Sequence, residues 1–241
     1  MDELISVSEL TKRFGPLTAV DGVSFKVHRG EVLGFLGPNG SGKSTTMKMI
    51  TGFLPPTAGQ ISVCGLNVLT QPVEVKARIG YLPEGAPLYA DMTPRSLLNF
   101  VAETRNMDAA TRRRRIEEVG AKLQIEDVFY QPIETLSKGY KRRVGLAQAI
   151  IHDPDVLILD EPTDGLDPNQ KHDVRQLLAE MAADKAIIIS THILEEVDSV
   201  CSRAVVIARG RLLVDETPQE LRARSDVGDL EDVFRQITQA A

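Results

Sequence analysis

The stretch EVLGFLGPNGSGKST, Glu31 to Thr45, decides the fold. Val32, Leu33, Phe35 and Leu36 make a short apolar run of the kind that forms a buried strand. That run enters a glycine-rich loop matching G-x-x-x-x-G-K-[ST], which is followed by KSTTMKMITGF, a predicted helix closed by Gly52. Strand, loop and helix in this order turn backbone N–H groups inward around phosphates. The candidate phosphate-binding residues are therefore Gly37, Pro38, Asn39, Gly40, Ser41, Gly42, Lys43, Ser44 and Thr45. Lys43 is placed to reach the terminal phosphates, and the Ser44 hydroxyl to ligate Mg²⁺.

Outward from this stretch the chain divides by pattern. ISVSELTKRF and VDGVSFKV before it alternate like half-buried strands, and QISVCG and RIGYLP after it are further short strands. From Glu84 to about Asp153 the pattern becomes helical. Thr93-Pro94 is an N-cap followed by proline at the first helical position, with Leu97, Leu98 and Val101 as the apolar side. Ile116, Val119 and Leu123 mark a second helix. Strands then return in DVLILD, AIIIST and AVVIARG, with a helix between the first two. ELRARSDVGD, Glu220 to Asp229, reads as loop. Leu230, Val233, Phe234 and Ile237 stand at helical spacing, so 226–241 is predicted to end in a short packing helix. The expectation is one domain over 1–241, with a mostly parallel α/β core interrupted by a helical insert at 84–153.

Two more strand ends carry chemistry. VLILDEPT, Val156 to Thr163, is an apolar strand ending in two carboxylates. Asp160 is placed to hold a metal or its water, and Glu161 to orient and polarise an attacking water. STH, Ser190 to His192, ends the next buried strand, and ligands bind outside the C-terminal ends of parallel strands. His192 is thus a candidate for the γ-phosphate. DGLD, Asp164 to Asp167, is a turn by composition. Phe14 is either a platform for a base or a core residue.

TLSKGYKRRVGLAQAII, Thr135 to Ile151, is a helix with the wrong charges at its start. Ser137 is an N-cap, yet Lys138, Lys141, Arg142 and Arg143 follow it, where the macrodipole favours Asp and Glu. Either these cations form a solvated or internally paired face, or an anion from outside the sequence meets them. TRRRRIEEV likewise reads as a solvated face, or as a face drawn to an anionic membrane.

The 241 residues carry a formal net charge of −6, which argues against a general nucleic-acid binder. Cys64 and Cys201 are far apart and outside any metal-ligand spacing, so neither a disulfide framework nor a zinc site is expected. MDELISVSEL lacks the apolar core of a secretion signal, and no run approaches the ~18 apolar residues of a membrane span. The chain is expected to be cytoplasmic.

In their order these motifs resemble the ATP-binding cassette (ABC) ATPase family across nearly the whole chain. The resemblance runs from Phe14 through Gly37–Thr45, GYLPEG, LSKGY, the strand into Asp160-Glu161 and the GLD loop to His192. It implies a P-loop NTPase (RecA-like) core with an antiparallel β subdomain and an inserted α-helical subdomain. It further implies ATP hydrolysis with Mg²⁺. Each ATP would be sandwiched between the P-loop of one subunit and the LSGGQ segment of a second, most simply in a homodimer. Here that segment is Leu136 to Tyr140. Ser137, Lys138 and Gly139 would then meet the γ-phosphate in trans, and Asp167 would link the two sites. Ser44, Glu84 and Asp160 would serve the metal, and Glu161 and His192 the catalysis.

Two motifs depart from the family: Glu84 replaces a glutamine, and LSKGY replaces LSGGQ, with Lys138 for a glycine and Tyr140 for a glutamine. Both variants look like the ABC-2 type exporter branch, including its gliding-motility and drug-export relatives. Such a subunit docks on integral membrane permease subunits near 84–105, where Leu88, Tyr89 and Met92 are of interface type. It would lie on the inner face of the membrane through that permease, with no nucleic-acid partner. The alternative is a non-transport ABC ATPase acting on ribosome or DNA complexes. Such relatives tend to carry paired cassettes, long coiled coils or basic extensions, and none is visible. An N-K-x-D reader of guanine is also missing.

Overall fold

The computed structural model describes residues 2–225 and 230–240. In chain order the elements are β1 (Glu3–Phe14), β2 (Leu17–His28), β3 (Glu31–Leu36), α1 (Lys43–Ile50), β4 (Ala58–Val63), β5 (Leu66–Asn67), α2 (Pro72–Arg78), β6 (Ile79–Leu82), α3 (Pro94–Thr104), α4 (Ala109–Lys122), α5 (Lys138–Ile150), β7 (Val156–Asp160), α6 (Pro168–Ala182), β8 (Ala186–Thr191), α7 (Leu194–Val200), β9 (Arg203–Ala208), β10 (Arg211–Glu216), α8 (Pro218–Arg222) and α9 (Leu230–Ala240). Two sheets result. One has the order β2-β1-β4-β5 and is antiparallel throughout. The other has the order β10-β9-β3-β8-β7-β6 and is parallel except for the β9–β10 hairpin at its edge.

The parallel sheet is buried on both faces, which is why its strands read as continuous apolar runs rather than as alternations. Leu33, Phe35, Ile158, Ile188 and Val205 point to one face, where they share a core with α1 and the antiparallel sheet. Leu36, Leu157, Leu159, Ile189 and Val206 point to the other, where the helices pack. Helix α1 ends as its sequence predicts: the amides of Gly52 and Phe53 donate to the carbonyls of Met49 and Lys48, closing a Schellman turn.

Between β6 and β7 the chain forms α3, α4, two 3-10 turns at Glu126–Val128 and Ile133–Thr135, and α5. The Thr93 hydroxyl accepts from the Ser96 amide, and Ser96 closes a capping box back to Thr93. Leu97, Leu98, Ile116, Val119 and Val144 fill the space between the three helices.

The region read as loop at Glu220–Asp229 begins inside a helix instead. Thr217, Pro218 and Glu220 form a capping box that starts α8. Leu221 of that helix is buried, and residues 226–229 lie outside the described residues. In α9, Leu230, Val233, Phe234 and Ile237 face Leu36, Leu194, Val197, Val206 and Leu221, at the end of the sheet near β3. The sequence reading also passed over β5, α2, α7 and β10. Strand β10 follows a tight turn in which both Arg209 and Gly210 have positive φ, as a two-residue hairpin requires.

The register places the chemistry. Leu36 at the end of β3 pairs with Thr191 of β8, and Asp160 at the end of β7 pairs with Ser190. The loops leaving β3, β7 and β8 therefore emerge side by side at the C-terminal edge of the sheet, where α/β proteins bind ligands.

Candidate active site

The loop after β3 wraps over the start of α1. Gly40 and Gly42 have φ of 78° and 109°, backbone that favours glycine. A Cβ on Gly42 would also come within 2.6 Å of the Ala19 carbonyl oxygen. No side chain caps α1 and its first turn holds no acidic residue, so its first amides are left for a ligand. The Lys43 ammonium donates to the carbonyls of Gly37 (2.6 Å) and Pro38 (3.1 Å). Burial lowers the Lys43 pKa, while Glu161, Asp160 and Glu84 oppose that shift. Ser41 Oγ is buried beside the loop with no hydrogen-bond partner, the kind of orphan group that a ligand or water satisfies.

These residues open onto a cleft of about 370 Å³ lined by Asn39, Gly40, Gly42, Lys43, Ser44 and Thr45 on one side and by Glu84, Asp160 and Glu161 on the other. Ala19, unanticipated from sequence, completes the wall. A cation and a helix N-terminus thus face three carboxylates across a space suited to a phosphate chain with a metal ion. Among the described residues no group of three or more His, Cys, Asp or Glu is placed to hold a metal.

Glu161 stands just beyond β7 with φ of 52°, a left-handed backbone unusual for a residue with a Cβ. Its amide donates to the Ser190 carbonyl at 2.8 Å, and its Oε1 lies 2.8 Å from His192 Nδ1. His192 is thereby joined to the cleft without lining it.

Other expected residues stand elsewhere. Phe14 lies at the tip of the β1–β2 hairpin, 46% exposed, with the Lys12 ammonium 5.2 Å from its ring centre. It is neither core nor part of the cleft wall. Ser137 caps α5, its hydroxyl accepting from the Tyr140 amide, and Asp167 caps α6 through the Gln170 amide. Gly139 is buried, and a Cβ there would come within 2.9 Å of Gln170 Oε1. A side chain at Gly139 would displace the end of Gln170, which caps back to the Asp167 amide. Ser137, Lys138, Gly139 and Asp167 form a second group, apart from the cleft.

The basic start of α5 is explained mostly from within. Arg142 is buried and donates to the carbonyls of Pro83, Asp160 and Glu161. Arg143, also buried, donates to the Leu123 and Gln124 carbonyls at the C-terminal end of α4, where a cation is favoured. Lys141 reaches the Glu134 carbonyl at 3.0 Å. Only Lys138 faces outward, toward Asp164. The TRRRR run is split: Arg113 and Arg114 are exposed, Arg114 beside Glu118, while Arg112 meets Glu103 and Arg115 meets Glu118 and donates to the carbonyls of Ile150 and Ile151.

Besides Ala19, two residues escaped the sequence reading, while Arg142, left as either solvated or internally paired, is paired within the chain. Phe100, 44% exposed, sits off the apolar stripe of α3 and packs edge-on against Tyr89 at 6.1 Å. Glu196 lies one helical turn past His192, and its signal was a glutamate in the first turn of a helix following a strand-end histidine.

The family model described as ABC transporter matches residues 20–164, from within β2 to the turn after Glu161. This chain belongs to the ABC transporter family. It is an ATP-binding ATPase with the P-loop NTPase fold, since hydrolysis of ATP is the family's activity. Nod factor export ATP-binding protein I of Ralstonia nicotianae is 37% identical over 96% of this chain and 72% of its own length. A solved ATP-binding subunit of an ABC transporter superposes with a TM-score of 0.90 at 29% identity, covering 97% of this chain and 99% of that one. cbiO1 from Clostridium perfringens, part of the ABC transporter complex cbiONQ, superposes with a TM-score of 0.82 at 29% identity over 98% and 95%.

Proposed function

We propose that this ABC ATPase powers an ABC-2 type exporter by ATP-driven pairing with a second copy of itself. One observation carries the reading. Ser137, Lys138 and Asp167 lie outside the chain's own cleft, so a phosphate held in that cleft meets them only in a second subunit. The export function rests on the similarity to an export ATPase and on the LSKGY and Glu84 variants, which resemble the ABC-2 type branch. As cbiO1 is part of a transporter complex, this chain would work with separate permease subunits. Among the described residues no helix is long and apolar enough to cross a membrane. The chain would therefore be held at the cytoplasmic face by those permeases.

In this reading the α1 amides and Lys43 hold the β- and γ-phosphates. Ser44, Asp160 and Glu84 would hold Mg²⁺, which supplies charge neutralisation across the phosphate oxygens. Glu161 orients and polarises the water that attacks the γ-phosphorus. His192, tied to Glu161, faces the γ-phosphate. The bond from phosphorus to the β-bridging oxygen breaks, leaving ADP and phosphate. Phe14 would stack on the base, with Lys12 alongside it.

The permease would dock near 84–105. Tyr89 is 57% exposed and paired with Phe100, which suits an interface anchor. Leu88 and Met92 are half-buried and packed on the helical core, so they contribute shape rather than free surface.

Glu161→Gln tests the pairing. With ATP and Mg²⁺ that variant should retain nucleotide and sediment as a dimer, and without nucleotide as a monomer. A variant that binds ATP and stays monomeric at high concentration would refute the sandwich.

A further inference from the structure

Glu196 lies on α7 and is 3% exposed. One of its carboxylate oxygens accepts from the Thr191 hydroxyl at 2.7 Å, and the other accepts from the Thr163 hydroxyl. Thr163 is two residues after Glu161, and Thr191 immediately precedes His192. A single buried carboxylate therefore joins the segment leaving β7 to the end of β8, the two segments that carry Glu161 and His192. The Thr191 hydroxyl also accepts from the Ile193 amide at 3.0 Å, which fixes the first step of the chain beyond β8.

Such a clamp has a physical task. The left-handed backbone of Glu161 is costly for a residue with a Cβ. A strained residue of this kind persists only where its surroundings over-determine it. The Glu161–Ser190 backbone bond supplies one constraint and the Glu161–His192 contact a second, but His192 is exposed and that contact alone is weak. Glu196 supplies the buried third. Burial and the nearby Glu161 raise its pKa, while the Thr191 hydroxyl, Arg175 and Lys171 oppose that shift. A buried carboxyl that serves no packing purpose would be costly to keep, and Glu196 spends both its oxygens on these two loops.

We infer that Glu196 is a positioning residue that holds Glu161 and His192 in register for hydrolysis, acting on turnover and not on nucleotide affinity. This rests on the assignment of Glu161 and His192 as the catalytic pair. Glu196 is not among the residues that line the nucleotide cleft. Its influence is exerted through Thr163 and Thr191.

The test compares Glu196→Ala, Glu196→Gln, Thr163→Val and Thr191→Val in the full chain. ATP affinity, KM and kcat per nucleotide-binding site are measured, with thermal unfolding alongside. Glu196→Ala should lower kcat by about tenfold to a hundredfold, the usual cost of a small misplacement, while KM and ATP affinity stay within about twofold. Glu196→Gln should recover most of the rate, since an amide accepts from one hydroxyl and donates to the other. Each valine variant should lie between.

An unchanged kcat per site in Glu196→Ala overturns the inference, and so does a Gln variant as slow as the Ala variant. If Glu196→Ala does not fold, the valine variants decide: both turning over at the wild-type rate overturns it. Glu161→Gln is the control. If that variant hydrolyses ATP like the wild type, the catalytic assignment fails, and the role given to Glu196 falls with it. Loss of hydrolysis with binding kept leaves the Glu196 variants to speak for themselves.

Discussion

Lys138 Nζ stands 2.8 Å from Asp164 Oδ2, so the outward cation of the LSKGY helix is neutralised by its own chain. The lysine stem lies over Gly165, where a Cβ would come within 2.6 Å of Lys138 Cδ. The pair joins the start of α5 to the turn before α6. The hydrogen bond from Lys138 holds the Asp164 carboxyl below the usual carboxylate range, with Lys138, Arg142 and His192 adding attraction. Both partners are largely exposed, at 69% and 48%, so the pair is worth only about 0–1 kcal/mol of stability. Its importance lies in where it points the charge.

If a partner's γ-phosphate is to meet Lys138, the lysine must first leave Asp164. In a Glu161→Gln background, Asp164→Asn should therefore shift ATP-driven dimerisation to lower protein concentration, by about threefold to tenfold, and steepen its salt dependence. Lys138→Gly should abolish that shift. Analytical ultracentrifugation at two salt concentrations measures both. If Asp164→Asn acts equally with and without the lysine, the phosphate role of Lys138 is wrong, and Ser137 and Gly139 carry the contact alone.

Lys43 is buried between the carbonyls of its own loop and three carboxylates, so its charge is the main cation the cleft offers a phosphate chain. Lys43→Ala should weaken ATP binding by about a hundredfold or more, in line with the loss of a charge-assisted contact in a partly desolvated site. Thermal unfolding of the variant checks that the fold survives. Equilibrium binding of a fluorescent ATP analogue gives the affinity, and unchanged affinity would remove the phosphate role of this loop.

Much of this was legible in the sequence, and the pattern of what was not is physical. The strand ends that meet at the cleft were readable because each is an apolar run that stops at a polar or glycine residue: Leu36–Gly37, Leu159–Asp160 and Ser190–His192. Those are local signals. The roles of Arg142, Arg143 and Glu196 were not readable, because a buried charge is defined by partners far along the chain. Arg142 answers carbonyls at Pro83, Asp160 and Glu161, and Glu196 answers Thr163. Short elements such as α2, α7 and α8 escaped for another reason: a helix of one or two turns is too short to display a period.

Exposure separates anchors from scaffold on the surface near 84–105. Tyr89→Ala and Phe100→Ala should each reduce capture of the chain by permease-containing membranes by about tenfold, the scale of an interface anchor. Both should leave ATP affinity unchanged. Leu88→Ala and Met92→Ala should instead lower the unfolding midpoint, because both side chains pack on the helical core. Co-sedimentation with membranes and thermal unfolding separate the two effects. Loss of ATP binding in Tyr89→Ala would show that the ring supports the cleft rather than a partner.

His152 ties stability to pH. It follows α5, with Nε2 3.1 Å from the Ile79 carbonyl and Nδ1 buried without a partner. The neutral ring donates from Nε2. Burial, with Arg105 and Arg115 nearby, pushes its pKa down from 6.5 to about 4; the Ile79 carbonyl and Asp153 oppose this and lose. The folded pKa is therefore depressed below the unfolded one. Above the unfolded value both states are neutral and the full stability is present. As pH falls from 6.5 toward about 4, the unfolded chain takes up a proton that the folded chain refuses, so stability is lost across that window. Its upper part, from about pH 6.5 to 5.5, lies above the ordinary range of exposed carboxylates, so histidine dominates there. The wild-type unfolding midpoint should fall across that interval. His152→Gln keeps a donor for Ile79 and has no proton to gain, so its midpoint should change less over the same interval. Scanning calorimetry of both proteins at closely spaced pH values measures the difference. Parallel curves would show that His152 is not the group responsible.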